Sequence, residues 1–449
     1  MTPFSSSPSL VLAGADWWRA ERTPTAARGS GGTELAFHAL VAFTAILLLS
    51  PQAFLPVLKS VRIALLTALI AIAAHMLDRT ARRRPVTPVR IEMAIVLLLA
   101  GWAIVTTPLS LWPGGSLIEL SDRYLKAVAF FWMVATIVTS ASRLRVFAWT
   151  LVLCSIPLAT VGLYHFRSGM FLQSSIPGNF RIAGYTEGSG LTGNPNDLAL
   201  MLNLIIPIAA ALFFTTRNSL RAIAAGAILL SAAAVIVTFS RAGFITLAVT
   251  FVLGIVALAR RQAPGPAAAI FAIALVTPFV LPQSYIARLN TITNISSDRT
   301  GSAQGRWEDW IAASELVTQH PITGVGIGQN ILALNEVRGH TWRAVHNVYL
   351  EYAVDLGLPG ALLFLWLFLA CLNSARKVRA RAIREPSLGE LSILAEGTLV
   401  GLVAFGAAAF FYPVAYQFYF FCVAGLAVAL KNVYRTECAR LARTAPAAR

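Results

Sequence analysis

Arg241, Arg306 and His346 are the side chains in this sequence best suited to chemistry on an anion and a hydroxyl. A guanidinium is a planar fork that meets two phosphate oxygens at once, where lysine offers only a point charge. An imidazole titrates near neutrality and can take a proton from a hydroxyl. Arg241 stands in the polar break Thr238-Phe239-Ser240-Arg241 of an otherwise apolar stretch, 222–259. An arginine at the mouth of two packed membrane segments is a functional candidate by default. The plainer account is a snorkelling arginine that caps a hairpin. Arg306 opens a predicted helix; its bland alternatives are an ion pair with Glu308 or Asp309, or stacking on Trp307 or Trp310. His346 precedes Asn347 and a helix carrying Glu351 and Asp355, and its plain alternative is a structural histidine. His38 and His75 read as packed residues, while His165, His320 and His340 read as external, with no clear setting.

A second group lies in Arg181-Ile-Ala-Gly184 through Gly193-Asn194-Pro195-Asn196-Asp197, which enters an apolar run. Asn196 or Asp197 suits the N-cap of that helix. The sharper reading gives an anion the free amides of the helix N-terminus, with Arg181 beside it. The turn 324–330, GVGIGQN, has phosphate-loop glycines without the strand–glycine–helix context, so it reads as a hinge or turn. The sequence carries no DxD or HExxH motif, and neither a metal nor a cofactor is expected.

These residues need elements to deliver them to one surface. The chain has 449 residues, is 57% hydrophobic and 12% charged, and has a mean hydropathy of +0.69. Soluble domains are about 25% charged, so this composition belongs to a polytopic membrane protein. A span needs about 20 mainly apolar residues. Runs of that kind near 36–57, 61–77, 91–110, 124–141, 146–165, 197–215, 222–239, 242–259, 266–283, 347–373, 391–411 and 414–430 predict an all-α bundle of about twelve transmembrane helices. Tight first and last hairpins leave eleven or thirteen open.

The resulting division is a cytoplasmic tail 1–34, helices one to five in 35–165, an external loop and helices six to nine in 166–283, a large external loop 284–346 between the ninth and tenth helices, helices ten to twelve in 347–430, and a basic tail 431–449. No apolar signal-peptide core precedes the arginines of the first 34 residues, so that segment is expected to stay inside. With the N-terminus inside, 24 of the 36 basic residues fall in the inner segments, as the positive-inside rule requires. The +16 charge therefore follows topology and leaves no folded basic module for nucleic acid. Loop 284–346 exceeds ordinary loop lengths, which marks a functional loop or lid. Within it a helix is expected from near Arg306 to His320-Pro321, then a glycine turn and a second short helix. The four cysteines show neither a disulfide framework nor zinc spacing.

Four stretches in order, RIAGYTEGSGLTGNPNDLA (181–199), TFSRAGF (238–244), GRWEDWIAASELVTQHPITGVGIGQN (305–330) and HNVYLEYAVDLGLPGALLF (346–364), resemble the O-antigen ligase and polymerase superfamily of bacterial membrane glycosyltransferases. The resemblance covers roughly 181–370; residues 1–180 agree only in hydropathy. It implies a helical bundle in the bacterial inner membrane with a large periplasmic loop and the site facing the periplasm. It also implies a polyprenyl-diphosphate-linked glycan donor, a lipid or saccharide acceptor, and inverting transfer without a metal. On this likeness Arg241 and Arg306 steady the leaving diphosphate and His346 serves the acceptor hydroxyl. Arg181, Asn196 and Asn347 are implied as substrate contacts, and membrane lipids as surroundings. The ligase, with lipid A–core as acceptor, is favoured over a polymerase joining lipid-linked repeat units. A transporter is the competing class, since twelve spans suit one, although transporters place polar groups at mid-membrane and these runs are nearly free of charge there. A non-enzymatic scaffold in polysaccharide assembly is the third.

Overall fold

Apolar segments in lipid satisfy their backbone N–H and C=O groups most simply by hydrogen-bonding within a helix. The computed structural model describes residues 31–87, 90–171, 181–182, 184–186, 190–261, 302–339 and 342–444, which are 81% helical and contain no β-strand. The helices are α1 (Gly31–Leu49), α2 (Pro56–Val61), α3 (Ile63–Ala81), α4 (Ile91–Thr106), α5 (Pro113–Glu119), α6 (Leu125–Ile137), α7 (Ala141–Arg167), α8 (Pro195–Thr215), α9 (Asn218–Val237) and α10 (Arg241–Arg260). After the undescribed interval come α11 (Ser302–Gln319), α12 (Asn330–Arg338), α13 (Val348–Ala382), α14 (Gly389–Ala408) and α15 (Phe418–Thr444). The chain is an all-α polytopic membrane bundle.

Among the described residues nine segments are long and apolar enough to cross a membrane, where the sequence predicts twelve. Three runs account for the difference. The first ends at Leu49, ahead of Pro51, which lacks an N–H and opens a 3-10 turn; its helix, α1, holds the apolar stretch Glu34–Leu49. The fourth is α6, 13 residues long and entered through a π-helical turn, Leu120–Tyr124. The ninth, 266–283, lies outside the described residues, as do most of the first tail and the start of the long loop.

Burial orders the bundle from centre to rim. In α8, 78% of the apolar span is buried, against 11% for the span Val57–Ala81. The central α8 packs on α9, α10 and α14, while α13 packs on α4, α14 and α15. Buried Asn203 in α8 donates to the Gly243 carbonyl of α10 at 2.9 Å. Gly243 itself lies against Ala199, so a side chain there would push the two helices apart. This close approach brings the starts of α8 and α10 together.

The loop 302–346 has a small apolar core of its own, built from Ala312, Ala313, Leu316, Val325, Ala333, Leu334 and Val345 packed on Val354 of α13. Burying each of the larger side chains is worth about 1.5–3 kcal/mol. The loop therefore sits on the bundle as a packed unit. Its first helix begins four residues before Arg306, since Ser302 to Gly305 continue the helix with Gly305 buried inside it. It ends at Gln319, ahead of Pro321, as the proline requires.

Candidate active site at one end of the bundle

His346 is held by the chain on both sides of it. Before it, the Trp342 and Val345 amides donate to Asn335 Oδ1 at 3.1 Å and Asn330 Oδ1 at 3.3 Å, which ties residues 342–345 to α12. After it, Asn347 caps α13, its Oδ1 accepting from the Tyr349 and Leu350 amides at 3.0 and 3.2 Å. His346 itself takes a positive φ of 51° between these two anchors. Its Nδ1 lies 2.7 Å from the Ala344 carbonyl. A carbonyl only accepts, so Nδ1 carries the proton and Nε2 presents its lone pair. Burial lowers the His346 pKa to about 4; the Arg306 and Arg343 charges lower it too, against the hydrogen bond to Ala344. A neutral imidazole with Nε2 open, next to two guanidinium groups, can accept a proton once an anion offsets their charge.

Arg306 belongs to this group through its charge on His346. Glu308 and Asp309, which follow Arg306 on the same helix, both bind Arg338 of α12, which also donates to the Gly305 carbonyl at 3.0 Å. That clamp fastens α11 to α12 and sets where Arg306 emerges.

Under the loop, the turn 324–330 is fixed rather than hinged. Asp355 of α13, fully buried, accepts from the Gly328 amide at 2.9 Å, the Asn330 amide at 2.8 Å and Asn330 Nδ2 at 3.1 Å. The Val325 and Gly326 amides donate to the Val354 and Asp355 carbonyls. Gly326, at φ 106°, also abuts Ser110 and Ser116, so both its backbone and its surroundings require glycine. Asp355 thus reaches His346 through Asn330 and Val345. Asp355→Ala would leave three donors without their acceptor, at roughly 1–3 kcal/mol for each that stays unpaired. We expect a lower melting midpoint and loss of ordered His346. Three buried cysteines, Cys154, Cys371 and Cys422, allow this to be read with a thiol-reactive dye.

A second group forms at the starts of α8 and α10. Asn196 Oδ1 accepts from Arg181 at 2.8 Å and from the Ser240 hydroxyl at 2.8 Å. The N-cap of α8 is Asn194, not Asn196 or Asp197: its Oδ1 accepts from both of their amides, at 2.9 and 3.0 Å. Pro195 explains the shift, since proline fits the first helical position directly after a cap. Those amides are therefore occupied, and the expectation that they lie free for an anion does not hold. Ser240 caps α10, accepting from the Gly243 amide at 3.1 Å, and so starts that helix at Arg241.

Tyr412, which sequence reasoning missed, links the two groups. Burial pushes its phenol up; the Ser240 hydroxyl beside it and the charges of Arg306 and Arg181 pull it down, while Asp197 adds to the rise. One hydroxyl thus feels the loop helix, the α8 start and the α9–α10 turn. Its own turn is pinned to α13: the Val348 amide donates to the Ala409 carbonyl at 2.7 Å, and Ala415 exchanges bonds with Glu351 and Tyr352. The available signal was the pair of tyrosines around Pro413 in FYPVAYQFY, which the hydropathy reading spent on a tight hairpin. Hydrogen bonds join Arg181, Asn196 and Ser240, while the Arg306 charge acts on both Tyr412 and His346. Arg241 stands one residue from Ser240, and Asn347 serves as the α13 cap. Among the described residues no cluster of three His, Cys, Asp or Glu is placed to hold a metal ion.

No curated protein was found to match the chain. Residues 225–365 match the family model described as O-antigen ligase, a span that includes Arg241, Arg306, His346 and Asn347 but not Arg181, Asn196 or Tyr412. The match supports, for this chain, the O-antigen ligase and polymerase superfamily of membrane glycosyltransferases.

Proposed function

We propose that the protein is an O-antigen ligase, moving a glycan from a polyprenyl-diphosphate donor to a hydroxyl of lipid A–core at the periplasmic face of the inner membrane, without a metal. The observation that carries this reading is the His346 ring, whose Nδ1 is committed to the Ala344 carbonyl at 2.7 Å and which lies within reach of the Arg306 charge. The distribution of basic loops supports the periplasmic orientation.

In this reaction the acceptor oxygen attacks the sugar C1 while its proton passes to His346 Nε2. The C1–O bond to the diphosphate breaks, and the electron pair leaves on the polyprenyl diphosphate. Arg306 and Arg241 offset the charge that develops there, a role that preorganised cations fill without reorganising. Arg181 and Asn196, joined to Ser240, offer polar contacts to the donor, and Asn347 sets the angle at which His346 leaves the loop.

Purified protein with EDTA present is expected to move glycan from the lipid-linked donor to lipid A–core. In cells, deletion should remove long chains from lipid A–core and let lipid-linked polymer accumulate. Accumulation of single lipid-linked repeat units would instead make the protein a polymerase. Counterflow of a solute in proteoliposomes with no glycan transfer would make it a transporter.

A further inference from the structure

At the end of the bundle opposite His346, the last turns of α13 meet the start of α4 and the middle of α15 around a cavity of about 620 Å³. Its α13 wall is graded in polarity. Trp366, Leu369 and Ala370 come first; Asn373 and Ser374 follow a turn later, and Lys377 and Arg381 come last. From 366 to 381 a helix rises roughly 22 Å, comparable with one leaflet of a bilayer whose core is about 30 Å. α15 adds Lys431 and Arg435 beside the basic end.

The charges around this cavity are not balanced by the protein. Glu92, fully buried, binds Lys431 at 2.5 Å and accepts from Ser374, so those two charges cancel. Elsewhere on this end Arg145 pairs with Glu390, and Arg261 and Arg379 pair with Glu396. Lys377, Arg381 and Arg435 are exposed and form no ion pair among the described residues. Three cations thus stand at the rim of a cavity whose deeper wall exposes Trp366 and Leu369, each 49% accessible.

We propose that this cavity binds an anionic phospholipid of the adjoining leaflet. The acyl chain lies along Trp366 and Leu369, the ester region meets Asn373 and Ser374, and the phosphate meets Lys377, Arg381 and Arg435. A soluble anion would match the cations but would leave the apolar wall uncovered. A zwitterionic lipid would match that wall but would bring its own ammonium among three cations. Only an anionic lipid complements both ends.

Native mass spectrometry of the full chain, released from micelles with phosphatidylglycerol or phosphatidylethanolamine, tests this. Wild-type protein is expected to retain phosphatidylglycerol over phosphatidylethanolamine. The triple exchange Lys377→Gln, Arg381→Gln and Arg435→Gln should weaken phosphatidylglycerol on the order of a hundredfold, since each basic residue near a membrane surface contributes about fivefold. Ala370→Trp, which fills the cavity and keeps the charges, should also remove the lipid. Equal retention of the two lipids, or unchanged phosphatidylglycerol in either variant, would overturn the proposal. So would complete displacement by millimolar inorganic phosphate, which marks a soluble-anion site. Glycan transfer is read separately, so loss of this lipid site leaves the reaction assigned above untouched.

Discussion

Arg306→Ala is expected to lower glycan transfer from a polyprenyl-diphosphate donor by about 10²–10³-fold, the usual cost of removing one preorganised group that meets developing charge. Arg241→Ala should cost a similar factor. The departing diphosphate leaves with more charge than it held as an ester, so the loss should appear in turnover more than in donor binding. Lysine at position 306 should restore little, because a point charge cannot meet two phosphate oxygens in one plane. The check is single-turnover transfer by purified variants whose thermal midpoints match wild type. The Arg338–Glu308–Asp309 clamp that holds α11 is kept in the Arg306 variant. Full activity in both alanine variants would remove the proposed site.

His346→Ala is expected to cost about 10²–10⁴ in turnover, the range for losing a general base. The pH dependence carries more information than the magnitude. In the free protein His346 is held at about 4 by burial and by Arg306 and Arg343. The base-competent neutral form therefore persists well below neutrality, and kcat/KM should fall only as the pH approaches that value. In the donor complex the diphosphate charge favours imidazolium, so the acid limb of kcat should lie higher. Removing Arg306 takes away one of the depressing charges and should raise the limb of kcat/KM toward 6.5. Stability follows the same sign. With the folded pKa lowered, the unfolded chain binds the extra proton between about 4 and 6.5, so His346 contributes full stability above 6.5 and loses it as the pH falls toward 4.

Much of this arrangement is legible from residue order, and the remainder is not, for definite reasons. Helix α11 stops where Pro321 says it must, and the glycine turn and second short helix of the loop follow as expected. The helix expected from near Arg306 begins at Ser302, because Gly305, which reads as a breaker, is a buried helical residue. About twelve spans are expected and nine are found among the described residues: the first run stops ahead of Pro51, the fourth is interrupted by the π turn before α6, and the ninth lies outside the described residues. The cap of α8 slid to Asn194 because Pro195 decides the first helical position, a local rule that was available. Tyr412 is a different case. Its phenol feels charges from residues 181, 197 and 306, and no periodicity encodes which distant residues the fold brings near one another. The same holds for Arg338, whose grip on Glu308 and Asp309 joins helices that no local pattern pairs.

Arg306 and His346 are taken to share one anion site, and the protonation of His346 reports on that directly. Titration of isotope-labelled histidines in the purified protein should place the His346 resonance near a pKa of about 4. It should move it upward when the polyprenyl-diphosphate donor binds, and upward without donor in Arg306→Ala. A His346 pKa indifferent to both the donor and the arginine would contradict the account.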